Sequence, residues 1–324
     1  MFKYQIRKEK VMEKKLPGIL RMIRAQFLIG ILIPLIAGTL LAVSITGSFH
    51  PINFILLLII GLGLHIATNV YNDIYDSIQG ADTNVKNTRN TYSGGSGFLL
   101  QSPQLIPTMY RLARSGILIS FLATLGLLFF VDRQFWLYLL AIYASCAFLS
   151  KYYTAAPFKF GYRGFGEILV WFSFGPLPII LATISQNVLS FHLMILAVMP
   201  VTGLSTLSIL LFGQLVDLPD DETAGKRGLA AHLGTTKARY GYLCIHLLVL
   251  INILILAGFV FHPGWPLLFS LLPYAVLFPR IWKNVYNYHD QPQKLSPTSR
   301  SNALLYALFS LLFLCGLGLI LLIQ

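Results

Sequence analysis

The sequence predicts an all-α membrane protein, a polytopic bundle of nine transmembrane helices. Three observations carry that expectation. The 324-residue chain is 56% hydrophobic and only 11% charged, with a mean hydropathy of +0.70. Soluble domains carry about 25% charged residues, and disorder needs low hydrophobicity. Apolar stretches near the roughly 20 residues a spanning helix requires recur nine times. The charges lie between those stretches and almost all on one side.

The first span, about 25–45, follows a basic segment, residues 1–24, that also holds acids and does not read as a signal peptide. The second, 51–72, opens on Pro51 and runs into a polar cluster. The third, 115–131, is short. The fourth, 135–153, ends at Lys151. The fifth and sixth, 165–184 and 190–213, lead to a second acidic cluster. The seventh, 240–261, is continuously apolar. The eighth, 264–282, contains Pro266, Pro273 and Pro279, which packed bundles tolerate. The ninth, 303–323, closes the chain. The domain reading is a cytoplasmic N-terminal segment, 1–24, and one transmembrane domain, 25–324. Cys146, Cys244 and Cys315 lie far apart in apolar runs and suggest neither a disulfide framework nor a zinc site.

Sorted by loop, 23 of the 24 lysines and arginines fall on one side of this topology, and Arg133 alone on the other. The positive-inside bias places the N-terminus and that face in the cytoplasm and the C-terminus outside, in the plasma membrane of a prokaryote. The net charge of +12 is then a property of the cytoplasmic face. It suits lipid headgroups or an anionic substrate. No nucleic-acid-binding motif is present. The oligomeric state is not legible.

Seven of the twelve acids fall in two clusters. Asp73, Asp76 and Asp82 follow the second span, and Asp217, Asp220, Asp221 and Glu222 follow the sixth. At helical spacing His65, Asn69, Asn72, Asp73 and Asp76 form one polar stripe. Asp217 and Asp221 are one turn apart if the helix continues, although Pro219 is placed to break it. Acids at the C-terminal end of a helix oppose its dipole, so two such clusters call for a cation. Oxygen ligands without His or Cys point to Mg²⁺, which bridges to substrate phosphates. Lys86, Arg89, Lys226 and Arg227 would bind the remaining oxygens of a diphosphate. Asp220 and Glu222 are expected to be the more tolerant acids. The glycine-rich Ser93–Gly97 segment reads as a flexible turn or as a nest of backbone N–H groups. His65 is the one histidine on the stripe, structural or in contact with a substrate.

These residues carry a resemblance to the UbiA superfamily of intramembrane prenyltransferases. Asn72, Asp73 and Asp76 match its Asn-Asp-x-x-Asp motif, and Asp217 and Asp221 match its Asp-x-x-x-Asp motif. Lys151 with Pro157 matches a third element on the loop after the fourth helix. Some members carry a Tyr four residues before that Lys. Here Ala147 stands there, so that Tyr's role is absent or moved to Tyr152 or Tyr153. The chain most resembles the 1,4-dihydroxy-2-naphthoate branch. Gly80-Ala81-Asp82, the Arg89–Gly94 run, Tyr153-Thr154 with Tyr162 and Gly164-Phe165-Gly166-Glu167, and the Gly225–Gly234 run carry that likeness.

The resemblance implies nine helices around a central cavity with Asp-rich caps on the cytoplasmic side. It implies Mg²⁺-dependent transfer of a polyprenyl group from a polyprenyl diphosphate to an aromatic acceptor. Asp73, Asp76, Asp217 and Asp221 would hold the metal. Lys151, Arg89, Asn69, Asn72, Tyr153, Lys226 and Arg227 would contact substrate. Hydroxybenzoate, homogentisate, chlorophyllide and haem are the alternative acceptors. A transporter is the rival class, weakened because no charged residue lies mid-span. An intramembrane aspartyl protease would leave most of the seven clustered acids unexplained.

Overall fold

The structure is a computed structural model that describes residues 18–81, 98–189 and 192–323. It is all-helical. The long helices are α1 (Ile29–Thr46), α2 (Pro51–Gln79), α3 (Ile106–Leu127), α4 (Trp136–Tyr152), α5 (Gly166–Phe174), α6 (Pro176–Ser185), α7 (Leu193–Thr223), α8 (Thr235–Ile255), α9 (Leu272–Tyr288) and α10 (Ser299–Ile323). Gly175 and Pro176 interrupt the α5–α6 pair, which together forms one span-length unit, Gly166–Ser185.

Eight stretches among the described residues are long and apolar enough to cross a membrane. They correspond to eight of the nine expected spans. The remaining one, expected at 115–131, is occupied by α3, which begins earlier, at Ile106. Its 22 residues rise about 33 Å. Arg111 and Arg114 in its first half keep it outside the apolar set. The Ser93–Gly97 segment, Lys86, Arg89 and Asp82 lie outside the described residues.

Small residues let α3 press against α2. A Cβ on Gly63 would overlap Ser120 Oγ and lie 2.7 Å from the Gly116 carbonyl, and Gly116 is as tightly held against the Gly63 carbonyl, at 2.6 Å. The close approach lets Ser120 Oγ donate to the Ile60 carbonyl at 3.0 Å. Such contacts favour helix association where lipid tails supply no hydrophobic drive. The outer surface is correspondingly apolar, with Phe129, Leu137, Val276 and Leu322 three-quarters or more exposed. A face of this kind is a liability in water and the expected lining toward lipid.

The end opposite the acids is tied by side-chain amides. Asn53 Nδ2 donates to the Ser185 carbonyl at 2.7 Å. Gln186 Oε1 accepts from the His50 N–H at 2.8 Å. These bonds fix the α1–α2 turn against the end of α6. At the other end, α2 runs to Gln79 and α7 to Thr223, past the limits expected from apolarity alone. Pro219 does not end α7, which continues through it.

The charge split generates a topology test. In a chain whose native cysteines are serine, single cysteines at Glu222 and Asp290 should react with an impermeant maleimide from the cytoplasmic face. One at Ser48 should react from the other face. Labelling of positions 222 and 290 from opposite sides would break the shared-face arrangement.

Candidate active site

The last turns of α2 and α7 converge on a cavity of about 630 Å³. On α2 the 3.6-residue period aligns His65, Asn69, Asn72 and Asp76 along its wall. On α7 it aligns Asp217, Asp220 and Asp221. Because the helix does not break at Pro219, Asp220 shares the face of Asp217 and Asp221, although it was expected to be a tolerant residue. Glu222 points out to solvent.

Lys226 joins the two acid clusters. Its Nζ lies 3.3 Å from Asp221 Oδ1 and 3.6 Å from Asp76 Oδ2. The turn that carries it is closed by the Lys226 N–H donating to the Asp221 carbonyl at 2.7 Å. Burial disfavours the ammonium, but the Asp221 and Asp76 carboxylates outweigh it and hold its pKa well above the usual lysine value. Lys226 is therefore a fixed cation at neutral pH.

Asp76 has two further partners. Tyr162 OH donates to Oδ1 at 2.7 Å, and Asn72 Nδ2 donates to Oδ2 at 3.0 Å. Thr154 Oγ1 donates to Asn72 Oδ1 at 2.7 Å, and Gln79 Nε2 donates to the Thr154 carbonyl at 3.0 Å. The loop after α4 is thereby sewn to the end of α2. Burial raises the Tyr162 phenol above the usual tyrosine range, and the Asp76 carboxylate it serves adds to this, so it stays a donor. Tyr153 is raised by burial as well. Its ring is wedged between glycines, since a Cβ on Gly161 or Gly166 would come within 2.9 Å of it.

A second brace stands behind the α7 acids. Glu167 Oε1 accepts from Gln214 Nε2 at 2.6 Å and from the Leu229 N–H at 2.7 Å. Gln214 Oε1 accepts from the Ala230 N–H at 3.1 Å. These bonds dock the short helix Leu229–Leu233 onto α5 and α7 and set the height of the Lys226 turn.

The structure gathers Asn69, Asn72, Asp76, Asp217, Asp221, Tyr153 and Lys226 on the cavity wall. It sets the other expected residues apart. Asp73 is buried behind the wall with Arg24 Nη1 3.6 Å from its carboxylate. Lys151 lies over the Tyr152 ring, 5.2 Å from its centroid, and is absent from the lining. The Arg227 side chain is exposed, and its N–H donates to the Tyr162 carbonyl at 3.1 Å. Arg89 lies outside the described residues.

Arg24, Arg300 and Asp220 line the cavity without having been singled out as site residues. Arg24 belonged to the supposed N-terminal tail, yet it packs at 4.6 Å over Phe27 and faces Asp73. Its place beside the first apolar run was the available signal. Arg300 was hidden among the topology-setting basic residues.

Among the described residues no three Asp, Glu, His or Cys groups form a preassembled metal cage. The cavity instead offers separated carboxylates and fixed cations at the mouth of an apolar chamber. Such a set fits Mg²⁺, which binds through one or two carboxylates and takes its other ligands from substrate phosphates and water. A helical membrane bundle with acids and bases facing one partly apolar chamber is suited to bringing a charged group to a lipid-soluble one.

The chain belongs to the UbiA prenyltransferase family, whose sequence profile matches residues 31–302. It is an integral membrane prenyltransferase. It is 30% identical over 269 residues to the 2-carboxy-1,4-naphthoquinone phytyltransferase of Synechocystis sp., covering 82% of this chain and 81% of that one. It is 30% identical over 242 residues to the 1,4-dihydroxy-2-naphthoate octaprenyltransferase of Escherichia coli, covering 73% and 75%. A solved UbiA homologue from Archaeoglobus fulgidus, bound to DMAPP and Mg²⁺, shares the fold with a TM-score of 0.58. It is 12% identical and is matched over 94% of this chain and 99% of its own.

The Asp76–Tyr162 bond gives a test of the brace. Hydrogen bonds to charged groups contribute about 1.5–3 kcal/mol. Tyr162→Phe should therefore lower kcat/KM by about tenfold or more and lower the melting temperature modestly while the chain stays folded. Unchanged turnover would remove Tyr162 from the site.

Proposed function

We propose that this prenyltransferase transfers a polyprenyl group from a polyprenyl diphosphate to 1,4-dihydroxy-2-naphthoate, with loss of CO₂, in a Mg²⁺-dependent reaction. The observation that carries the acceptor is that the Synechocystis and Escherichia coli relatives are both named for carboxylated naphthalene rings while their names differ in the tail transferred. The common factor is the acceptor. Donor length is left to the apolar part of the chamber, whose lining includes Ile29 of α1 and Leu304 of α10. We place the acids on the cytoplasmic face of a prokaryotic plasma membrane, with the N-terminus cytoplasmic, α3 as a ninth crossing and the C-terminus outside.

In this reading the diphosphate lies among Lys226, Arg24 and Arg300. Asn69 and Asn72 donate to its oxygens, and Arg89, Lys151 and Arg227 are further candidates to supply positive charge. Asp76, Asp217 and Asp221 would hold Mg²⁺, and Asp73 completes the acid set through its pairing with Arg24. The metal supplies Lewis-acid neutralisation of diphosphate charge. Lys226 keeps the two carboxylate clusters together before substrate arrives, and then offers its ammonium to the leaving group. The C1–O bond breaks with its electron pair leaving on diphosphate. A π-electron pair of the ring forms the new bond to C1, and the ring–carboxylate bond then breaks, its electron pair restoring the ring as CO₂ leaves. The apolar wall of Val170, Phe174, Ile209 and Leu210 excludes water from the allylic cation. The faces of Tyr153 and Phe174 stabilise its charge.

The assay supplies membranes containing this chain with Mg²⁺, labelled polyprenyl diphosphate and single acceptors, and identifies the lipid product by mass. A prenylated, decarboxylated naphthoquinol is expected, with pyrophosphate released and activity abolished by chelation. The Asp76→Asn, Asp217→Asn double variant should fall by orders of magnitude. Product from homogentisate or hydroxybenzoate, and none from the naphthoate, would reassign the acceptor. No transfer to any acceptor would return a transporter to the front.

A further inference from the structure

A second cavity, of about 230 Å³, lies beside the first, walled by α1, α2, α4, α5 and α6. The two share a boundary at which His65, Asn69, Asn72, Tyr153, Val170 and Phe174 line both. A molecule in the small cavity therefore reaches the point where the α2 acid motif begins. Its other walls are mostly apolar, among them Leu64, Cys146, Leu149 and Leu177, with Thr68, Ser150 and Ser173 between them. Two hydroxyls there spend their protons within their own helices. Thr68 Oγ1 donates to the Leu64 carbonyl at 2.9 Å, and Ser150 Oγ to the Ala147 carbonyl at 2.8 Å.

His65 is different. It is only 8% exposed, and its ring stands edge-on to Phe174 at 5.3 Å between centroids. Its Nε2 is buried with no hydrogen-bond partner. Nearly all buried polar atoms are paired, and one that is not calls for an explanation. A turn of the ring toward either adjoining cavity would let a ligand there supply the partner.

We propose that the small cavity is the acceptor pocket, and that His65 Nε2 hydrogen-bonds a hydroxyl or carboxylate oxygen of a bicyclic aromatic acid bound there. The inference rests on the prenyl-transfer reading and assigns its second substrate a place. Size and chemistry both separate the chambers. The larger one holds the acids, Lys226, Arg24 and Arg300, the partners of a diphosphate. The smaller one falls just below the usual range of ligand pockets, the scale of a two-ring compound rather than of several isoprenoid units. A hydrocarbon tail placed there would leave Nε2 unpaired. An oxygenated ring would satisfy it, pack against Phe174 and Leu177, and present its edge across the shared boundary to the prenyl C1.

The test measures equilibrium binding to the full chain in lipid nanodiscs, using 1,4-dihydroxy-2-naphthoate and, separately, geranylgeranyl diphosphate with Mg²⁺. Cys146→Phe and the milder Cys146→Leu fill the small cavity, and His65→Ala removes the hydrogen bond. Each of Cys146→Phe and His65→Ala should weaken naphthoate binding about tenfold, the size of one lost hydrogen bond or its steric equivalent. Diphosphate affinity should stay unchanged. His65→Gln, which keeps a hydrogen-bonding amide, should recover most of the naphthoate affinity. A merely structural role for His65 would not divide the two ligands in this way. If Cys146→Phe melts early, Cys146→Leu and the His65 pair decide.

Loss of diphosphate binding in the filled variants would give the pocket to the prenyl tail and overturn the proposal. So would unchanged naphthoate affinity in both His65→Ala and the filled variants, or an unmodified chain that binds no aromatic acid. Binding and turnover keep this inference separate from the function. A chain that binds naphthoate through His65 yet transfers no prenyl group sinks the function and leaves the pocket. A chain that prenylates naphthoate with these variants silent sinks the pocket alone.

Discussion

Lys226, set between Asp76 and Asp221, is the contact on which the reactive end of this bundle depends. Carboxylates from α2 and α7 face one another beside an apolar chamber, where repulsion is poorly screened. One buried ammonium 3.3 and 3.6 Å from the two clusters offsets that repulsion. Buried ion pairs seldom add net stability, so the arrangement reads as positioning. It keeps acids and base poised for a ligand whose charge pattern is complementary, which in the proposed reading is a diphosphate with its metal.

That contact is held from two directions. Tyr162, Asn72 and Thr154 fix Asp76 through the loop after α4. Glu167 and Gln214 fix the turn that carries Lys226 through backbone N–H groups of Leu229 and Ala230. Both braces are chains of hydrogen-bonded polar groups, which stiffen a site, although Gln79 Oε1 at the end of the first is buried without a partner. Further from the site the work passes to packing. The close approach of α2 and α3 at Gly63 and Gly116 gives the α2 acids a rigid stem. The interruption at Gly175 and Pro176 bends the α5–α6 unit beside both chambers.

Particular residues show where the sequence was legible. Asn72, Asp76, Asp217 and Asp221 were readable because helical spacing alone puts them on shared faces. Lys226 was readable as a candidate because it stands beside an acidic helix end, although a base there also serves to set topology. Lys151 and Arg227 matched the pattern equally well, yet one lies over Tyr152 and the other extends to solvent. Charge and spacing cannot tell a lysine that turns inward from one that rests on a neighbouring ring. Pro219 left open whether Asp217 and Asp221 share a face, and the helix continues through it because a proline inside a packed helix is tolerated when neighbouring helices re-satisfy the backbone.

By itself the sequence determined the membrane environment, the all-helical class, the apolar spans and the pairing of two acid clusters on one charged face. Each of these follows from local periodicity and composition, which the bilayer translates directly into structure. Only the tertiary structure decided that Arg24 reaches the site from beyond the first span, that Tyr162 carries Asp76, that Asp73 stands behind the wall, and that His65 lies between two chambers. Those facts depend on which way side chains turn where helices distant in sequence meet. That direction is set by the fit between helix surfaces, a property of pairs of segments that neither segment encodes alone.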